Sequence, residues 1–290
     1  MQETRFRILV TNLKGDDEGL TQTRHLEKAL RDQLGVDVLP VDEAVDIADG
    51  EVDPDALRLC QSMIAAHNGD SLLFGEVMPA APRLRLRLVG RYEGEAGRHG
   101  PYQMDWAEFP KHFGPDVEGH LLALVALSVA PAARDDQDRA YLIGLLRPAA
   151  TKLTRLLESS TVSLDSERQG ACWHALGLAA SLLGEYAESS RWLDVAVHAH
   201  KTALLIWQKE TVIFQWAMVQ NNLGHALRLL AERQTDQHRR RQLFKQSMDA
   251  FGEALRVYRA AAAADTYRRQ TETNLAHVEA LQTERLVAAE

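Results

Sequence analysis

The stretch Asn222-Leu223-Gly224-His225-Ala226-Leu227 returns as Asn274-Leu275-Ala276-His277-Val278-Glu279, and upstream of each copy Ala203-Leu204-Leu205-Ile206-Trp207 is echoed by Ala254-Leu255-Arg256-Val257-Tyr258. Self-similarity of this kind is the mark of stacked helical repeats, in which each unit buries its apolar face on the next. Leu176-Gly177 is a further copy of the central pair, so the marks stand at Leu176, Leu223 and Leu275, spaced 47 and 52 residues apart. Stacks of this kind present a surface to a partner and seldom do chemistry. The C-terminal half is therefore expected to be an interaction domain.

The N-terminal part reads differently. Arg5 to Leu13 and Val36 to Val41 read as strands, Thr21 caps an amphipathic helix running to Leu34, and Gly35 ends that helix. Leu57 to His67 reads as a second helix, Ser71 to Val77 as a strand, and Arg83 to Tyr92 as a strand of clean alternation. The order βαβαββ predicts a small α/β domain with a mixed sheet. From Val117 onward the pattern is helical, and Pro131 to Arg134 marks the boundary. The expected class is α+β overall: an α/β domain over residues 1–130, then an all-α repeat domain over residues 131–290 with about three units.

Charge separates the same two parts. The net charge is −8, and residues 1–134 hold 14 basic and 22 acidic side chains, so all of it lies there. An acidic N-terminal part argues against a general nucleic-acid binder, since phosphate attracts the opposite sign. No apolar run reaches the roughly 18 residues of a membrane helix, and the N-terminus lacks a signal-peptide core. A cytoplasmic protein with no membrane or nucleic-acid partner is expected. Cys60 and Cys172 read as buried reduced thiols.

The helical part resembles tetratricopeptide repeats over roughly residues 160–285. Trp173, Leu176 and Gly177 fit the first helix of one unit, and Gly184, Tyr186, Ala187 and Ala196 its turn and second helix. Leu223, Gly224, Phe251 and Ala254 fit the next unit, and Leu275 and Ala276 represent a third. The units exceed the usual period of about 34 residues, and the segment Ala231 to Gln242 is expected to lengthen a turn or its flanking helices. The final unit shows no clear second helix. The N-terminal part is similar to the amino-terminal α/β domain of TolB and to related domains beside helical repeats in bacterial signalling proteins, through Ile8-Leu9-Val10, the Gly-Asp turn after it, and Gly69 to Val77. That resemblance implies an interaction module.

The repeat resemblance places His174, Asn221, Asn222, His225 and Arg228, with Asn274 and His277 of the third unit, toward a groove where partner peptides lie. Asn can hold a peptide backbone with both a donor and an acceptor, and Arg can take a carboxylate bidentately. The competing reading has Asn222 and Asn274 bond to the neighbouring repeat and position it. Elsewhere, Arg83, Arg85 and Arg87 share one sheet face by period two and form a candidate anion site. The acidic stretch Asp42 to Asp55 is a source of counter-charge, and a solvated outer sheet face is the preferred alternative. The turn Gly15 to Gly19 lacks both the GxGxxG and the P-loop pattern. His198 and His200 are two apart and cannot share an ion on a helix. No zinc motif or catalytic triad is recognisable by spacing. His238 to Arg241 reads as a solvated helix end. Trp173, Trp207, Trp216 and Tyr258 read as core.

The expected function is a non-catalytic adaptor or scaffold that binds a protein or peptide in the repeat groove, with no cofactor and no metal. Two alternatives stay open: a sensor whose α/β domain binds a small anion and relays it through the repeats, and an enzyme with an unrecognised site in that domain. Three repeats are near the minimum for a stable stack, so self-association to a homo-oligomer also stays open.

Overall fold

Consecutive apolar residues at Ile8, Leu9 and Val10 leave no polar face, so the strand they form must be covered on both sides. In the computed structural model all three are fully buried. The structure describes residues 6–34, 36–43, 45, 54–80, 83–91, 102–103, 106–111, 115–133, 135–159, 164–207, 212–261 and 265–287. Its elements run β1 (Arg7–Thr11), α1 (Thr21–Leu34), β2 (Asp37–Val41), α2 (Pro54–Ala66), β3 (Ser71–Val77), β4 (Arg83–Gly90), β5 (Ala107–Pro110) and α3 (Pro115–Val129). A 3-10 turn (Ala130–Ala132) follows, then α4 (Asp136–Glu158), α5 (Ser166–Tyr186), α6 (Ser190–Ile206), α7 (Ile213–Glu232), α8 (Gln237–Ala260) and α9 (Asp265–Val287). The class is α+β, with a small mixed sheet ahead of a long helical region.

The chain divides into two compact units, residues 1–100 with 105–152, and residues 101–104 with 153–290. The division falls inside α4, beyond the composition change at Pro131. The helical unit is thus discontinuous in sequence: four residues from between β4 and β5 belong to it.

In the first unit the sheet order is β2-β1-β3-β4-β5. β1 pairs in parallel with β2 and β3, and β4 pairs antiparallel with β3 and β5. Leu9, Cys60, Met63, Ile64, Leu72, Phe74 and Val89 form one buried cluster between strands and α2. β5 was not foreseen: four residues are too few to display a period.

Thr21 begins α1 but does not cap it. The Asp16 carboxylate accepts from the backbone N–H of Gln22 (3.2 Å) and Thr23 (2.8 Å) and from the Thr23 hydroxyl, while Asp17 accepts from the Thr21 N–H (2.9 Å). These are the unsatisfied donors of the first helical turn. Asp16→Ala is expected to cost about 1–2 kcal/mol, read as a lower urea midpoint; an unchanged midpoint would remove Asp16 from the capping role.

In the second unit α5 packs on α6, α6 on α7, α7 on α8 and α8 on α9. Leu193, Leu223, Leu227, Leu230, Phe244, Phe251 and Val278 form a buried cluster in it. α5 ends with Glu188 at φ 48° and the Ser189 N–H donating to the Gly184 carbonyl at 3.0 Å. That left-handed position normally takes glycine. Glu188→Gly is therefore expected to raise stability by about 0.5–1 kcal/mol, checked by thermal melting; a destabilised variant would mean that the Glu188 side chain contributes more than its backbone strain costs. Among the described residues, no helix is long and apolar enough to cross a membrane.

Candidate functional site

The site is assembled around two residues that lie outside helix and strand, Tyr102 and Gln103. Gln103 is 1% exposed, so each of its polar atoms needs a partner. Asn222, fully buried on α7, supplies two. Its Oδ1 accepts the Gln103 N–H at 2.9 Å, and its Nδ2 donates to the Gln103 carbonyl at 2.9 Å. One residue turns its own N–H and C=O to the same side only where the backbone is extended, as in an antiparallel ladder pair. One amide side chain thereby replaces a neighbouring strand.

The Gln103 side chain is equally enclosed. The Tyr258 hydroxyl donates to its Oε1 at 2.6 Å. Its Nε2 donates to the Tyr267 carbonyl at 3.1 Å and to the Thr271 hydroxyl at 3.0 Å. α8 and α9 provide these groups because the apolar stripe of each helix carries a polar residue at this level: Tyr258 stacks on Tyr267 at 5.7 Å, and Thr271 is fully buried one turn further on.

Tyr102 sits beside it. Its ring meets the His225 ring edge-on at 4.6 Å, its hydroxyl donates to Glu185 at 3.0 Å, and its carbonyl accepts from Gln270 at 3.1 Å. Burial raises the Tyr102 hydroxyl well above its usual pKa, and the Glu185 charge adds to that. For Glu185, burial works against ionisation, but the approach of His225, the Tyr102 hydroxyl and the Arg228 charge outweigh it and hold the carboxyl below its ordinary range. Burial, with the Arg228 charge behind it, pushes His225 down to about 4. His225 is thus neutral at pH 7, and its 3.8 Å approach to Glu185 is a polar contact rather than an ion pair.

Six of the seven residues expected in a groove meet here. Asn222 holds the Gln103 backbone, and its Nδ2 also reaches the His174 Nε2 at 3.0 Å. Asn221 donates to the Asn222 Oδ1 at 3.1 Å, and Asn274 donates to the Asn221 Oδ1 at 3.0 Å. Asn274 thus bonds across helices, as the competing reading had it, whereas Asn222 takes a peptide backbone. His225 lies against Tyr102, and Arg228 approaches the His225 Nδ1 at 3.3 Å while pairing with Glu232. His277 is exposed on α9. Tyr102, Gln103, Glu185, Tyr258, Tyr267, Gln270 and Thr271 were not foreseen as site residues.

The three strand arginines are arranged otherwise than expected. Arg83 pairs with Glu108 at 3.0 Å, and Arg85 with Glu76 at 3.5 Å, with its guanidinium over the Trp106 ring at 4.8 Å. Arg87 is 3% exposed. The face is thus part-exposed at Arg83 and Arg85 and buried at Arg87, and Glu76 and Glu108 on adjacent strands supply the counter-charge. Most of the stretch Asp42 to Asp55 lies outside the described residues.

His200 is fully buried beside this site, its ring 5.7 Å from that of His174. Burial pushes its pKa down to about 3. An unfolded histidine titrates near 6.5, so between that value and the folded one the unfolded chain binds more protons. Stability contributed by neutral His200 and His225 is complete above about pH 6.5 and is lost as pH falls toward 4. Each should cost on the order of 2 kcal/mol between pH 7 and pH 5. The urea midpoint should drop over that range, and His200→Leu should flatten the drop. An identical pH slope in the variant would overturn the assignment.

Comparison of the chain with known protein families, with curated proteins and with solved structures finds no match.

Proposed function

We propose that the helical unit is a tetratricopeptide-like adaptor that holds an extended segment of a protein partner. The observation that carries this reading is the two-point clamp of Asn222 on the Gln103 backbone. A buried amide that offers one donor and one acceptor to the main chain of a single residue is a general device for gripping extended peptide. The ion pairs of Arg83 and Arg85 give a small-anion sensor less support, because their charge is already matched. The Asp16 and Asp17 carboxylates serve the start of α1, which leaves the enzyme alternative without an assigned group.

A photo-reactive amino acid placed at exposed His277, which lies close enough to influence His225, tests the reading in the native cell. Adducts with another protein are expected, and should be lost when Asn222→Ala and Arg228→Ala are added to a chain that keeps its helical circular dichroism. Adducts that persist in the double variant, or none to any other protein, would overturn it.

A further inference from the structure

Resting on that reading, we infer that the site is specific for a Tyr-Gln pair in extended backbone, and that the chain's own Tyr102-Gln103 occupies it in cis and is displaced by a partner carrying the same pair.

The two side-chain compartments are chemically distinct. The first takes an aromatic ring against His225 and asks for a hydroxyl that donates to Glu185. Phenylalanine would fit the ring and leave the half-buried Glu185 carboxylate without its donor, which is a basis for discrimination. The second takes a primary amide and nothing else of that size. It offers one donor, Tyr258 Oη, to the amide oxygen, and two acceptors, the Tyr267 carbonyl and the Thr271 hydroxyl, to the amide nitrogen. Glutamate would face two acceptors with an oxygen, and methionine would leave all three groups unmatched. Between the compartments the backbone is read on both sides, by Asn222 at Gln103 and by Gln270 at the Tyr102 carbonyl. None of these contacts depends on covalent continuity with the rest of the chain. A Tyr-Gln pair on any extended segment can therefore make the same set.

The occupant acts as a competitor at high effective concentration. The apparent affinity for a partner is the intrinsic affinity reduced by the fraction of molecules whose site is open. Occupancy in cis thus sets a threshold that a matching partner must exceed.

The test uses the full chain and a labelled peptide of its own residues 98–107, Arg-His-Gly-Pro-Tyr-Gln-Met-Asp-Trp-Ala. Binding is compared for wild type, for Tyr102→Ala with Gln103→Ala, and for that variant with Asn222→Ala added. The vacated chain should bind the peptide at least about 100-fold more tightly than wild type, and Asn222→Ala should abolish the gain. Peptides with Phe for Tyr, or Glu for Gln, should bind the vacated chain at least about 100-fold more weakly. If the double alanine variant does not fold, as judged by circular dichroism, the shape-conserving pair Tyr102→Phe with Gln103→Met replaces it and should show a smaller gain of the same sign. Equal peptide binding by wild type and the folded vacated chain overturns the inference. A random-peptide display screen on the vacated chain then separates the two readings. Asn222-dependent enrichment of sequences without Tyr-Gln would retain the adaptor and discard the specificity, and no enrichment would discard both.

Discussion

Asn222→Ala is expected to cost the helical unit about 3–5 kcal/mol, because the Gln103 N–H and carbonyl would stay buried without partners, at about 1–3 kcal/mol each, and Asn221 and His174 would each lose a contact as well. That is a large share of a stability that for most proteins is about 5–15 kcal/mol. Trp173, Trp192, Trp207 and Trp216 all lie in this unit, so tryptophan fluorescence during urea unfolding weights the readout toward it, where a single transition for the whole chain is not assured. Asn222→Asp sharpens the test. It keeps the shape and the acceptor for the Gln103 N–H, and places an oxygen where the donor to the Gln103 carbonyl stood. At neutral pH it should be at least as damaging as alanine, and part of the loss should return in acid as the carboxyl gains a proton. A cost below about 1 kcal/mol for Asn222→Ala would mean that water replaces the clamp and that the dipeptide is weakly held.

The second large effect belongs to Gly177. A side chain there would place its Cβ 2.5 Å from the His200 Cε1 and Nδ1, and the His200 ring is fully buried. Gly177→Val is expected to cost about 3 kcal/mol by overpacking. Gly224 repeats the arrangement, with a Cβ at 2.8 Å from the Phe251 ring, and Gly224→Val should behave alike. The double variant Gly177→Ala with His200→Ala provides the check. If the ring is the obstacle, the pair should be less destabilised than the sum of the singles, by about 0.5–3 kcal/mol. Additive costs would place the strain elsewhere.

These glycines show what was legible in the sequence. The Leu-Gly marks pointed to repeated helices, and Gly177 and Gly224 each admit a ring from the following helix. Ala276, at the corresponding place, is exposed, so nothing there demands the smallest residue. Thr21 marked the start of α1 through local capping preference, although the capping groups are Asp16 and Asp17, which reach it across a turn whose geometry no period encodes. The chemistry of Asn222 was readable, because an amide at a helix–helix level is either a bridge or a clamp. Its ligand was not. Gln103 is 119 residues away, and neither alternation nor helical period links a loop residue to a distant helix face. The strand arginines illustrate a related point: alternation shows that three side chains share a face, but not that Glu76 and Glu108 on neighbouring strands meet two of them.

The separation between the dipeptide and its binding groups has a consequence during synthesis. Tyr102 and Gln103 leave the ribosome 119 residues before Asn222 and 168 residues before Thr271. At about 5–20 residues per second, the pair waits from several seconds to about half a minute for its receptor to exist. Throughout that interval the pair lacks the residues that later enclose it, Asn222 on α7, Tyr258 on α8 and Thr271 on α9.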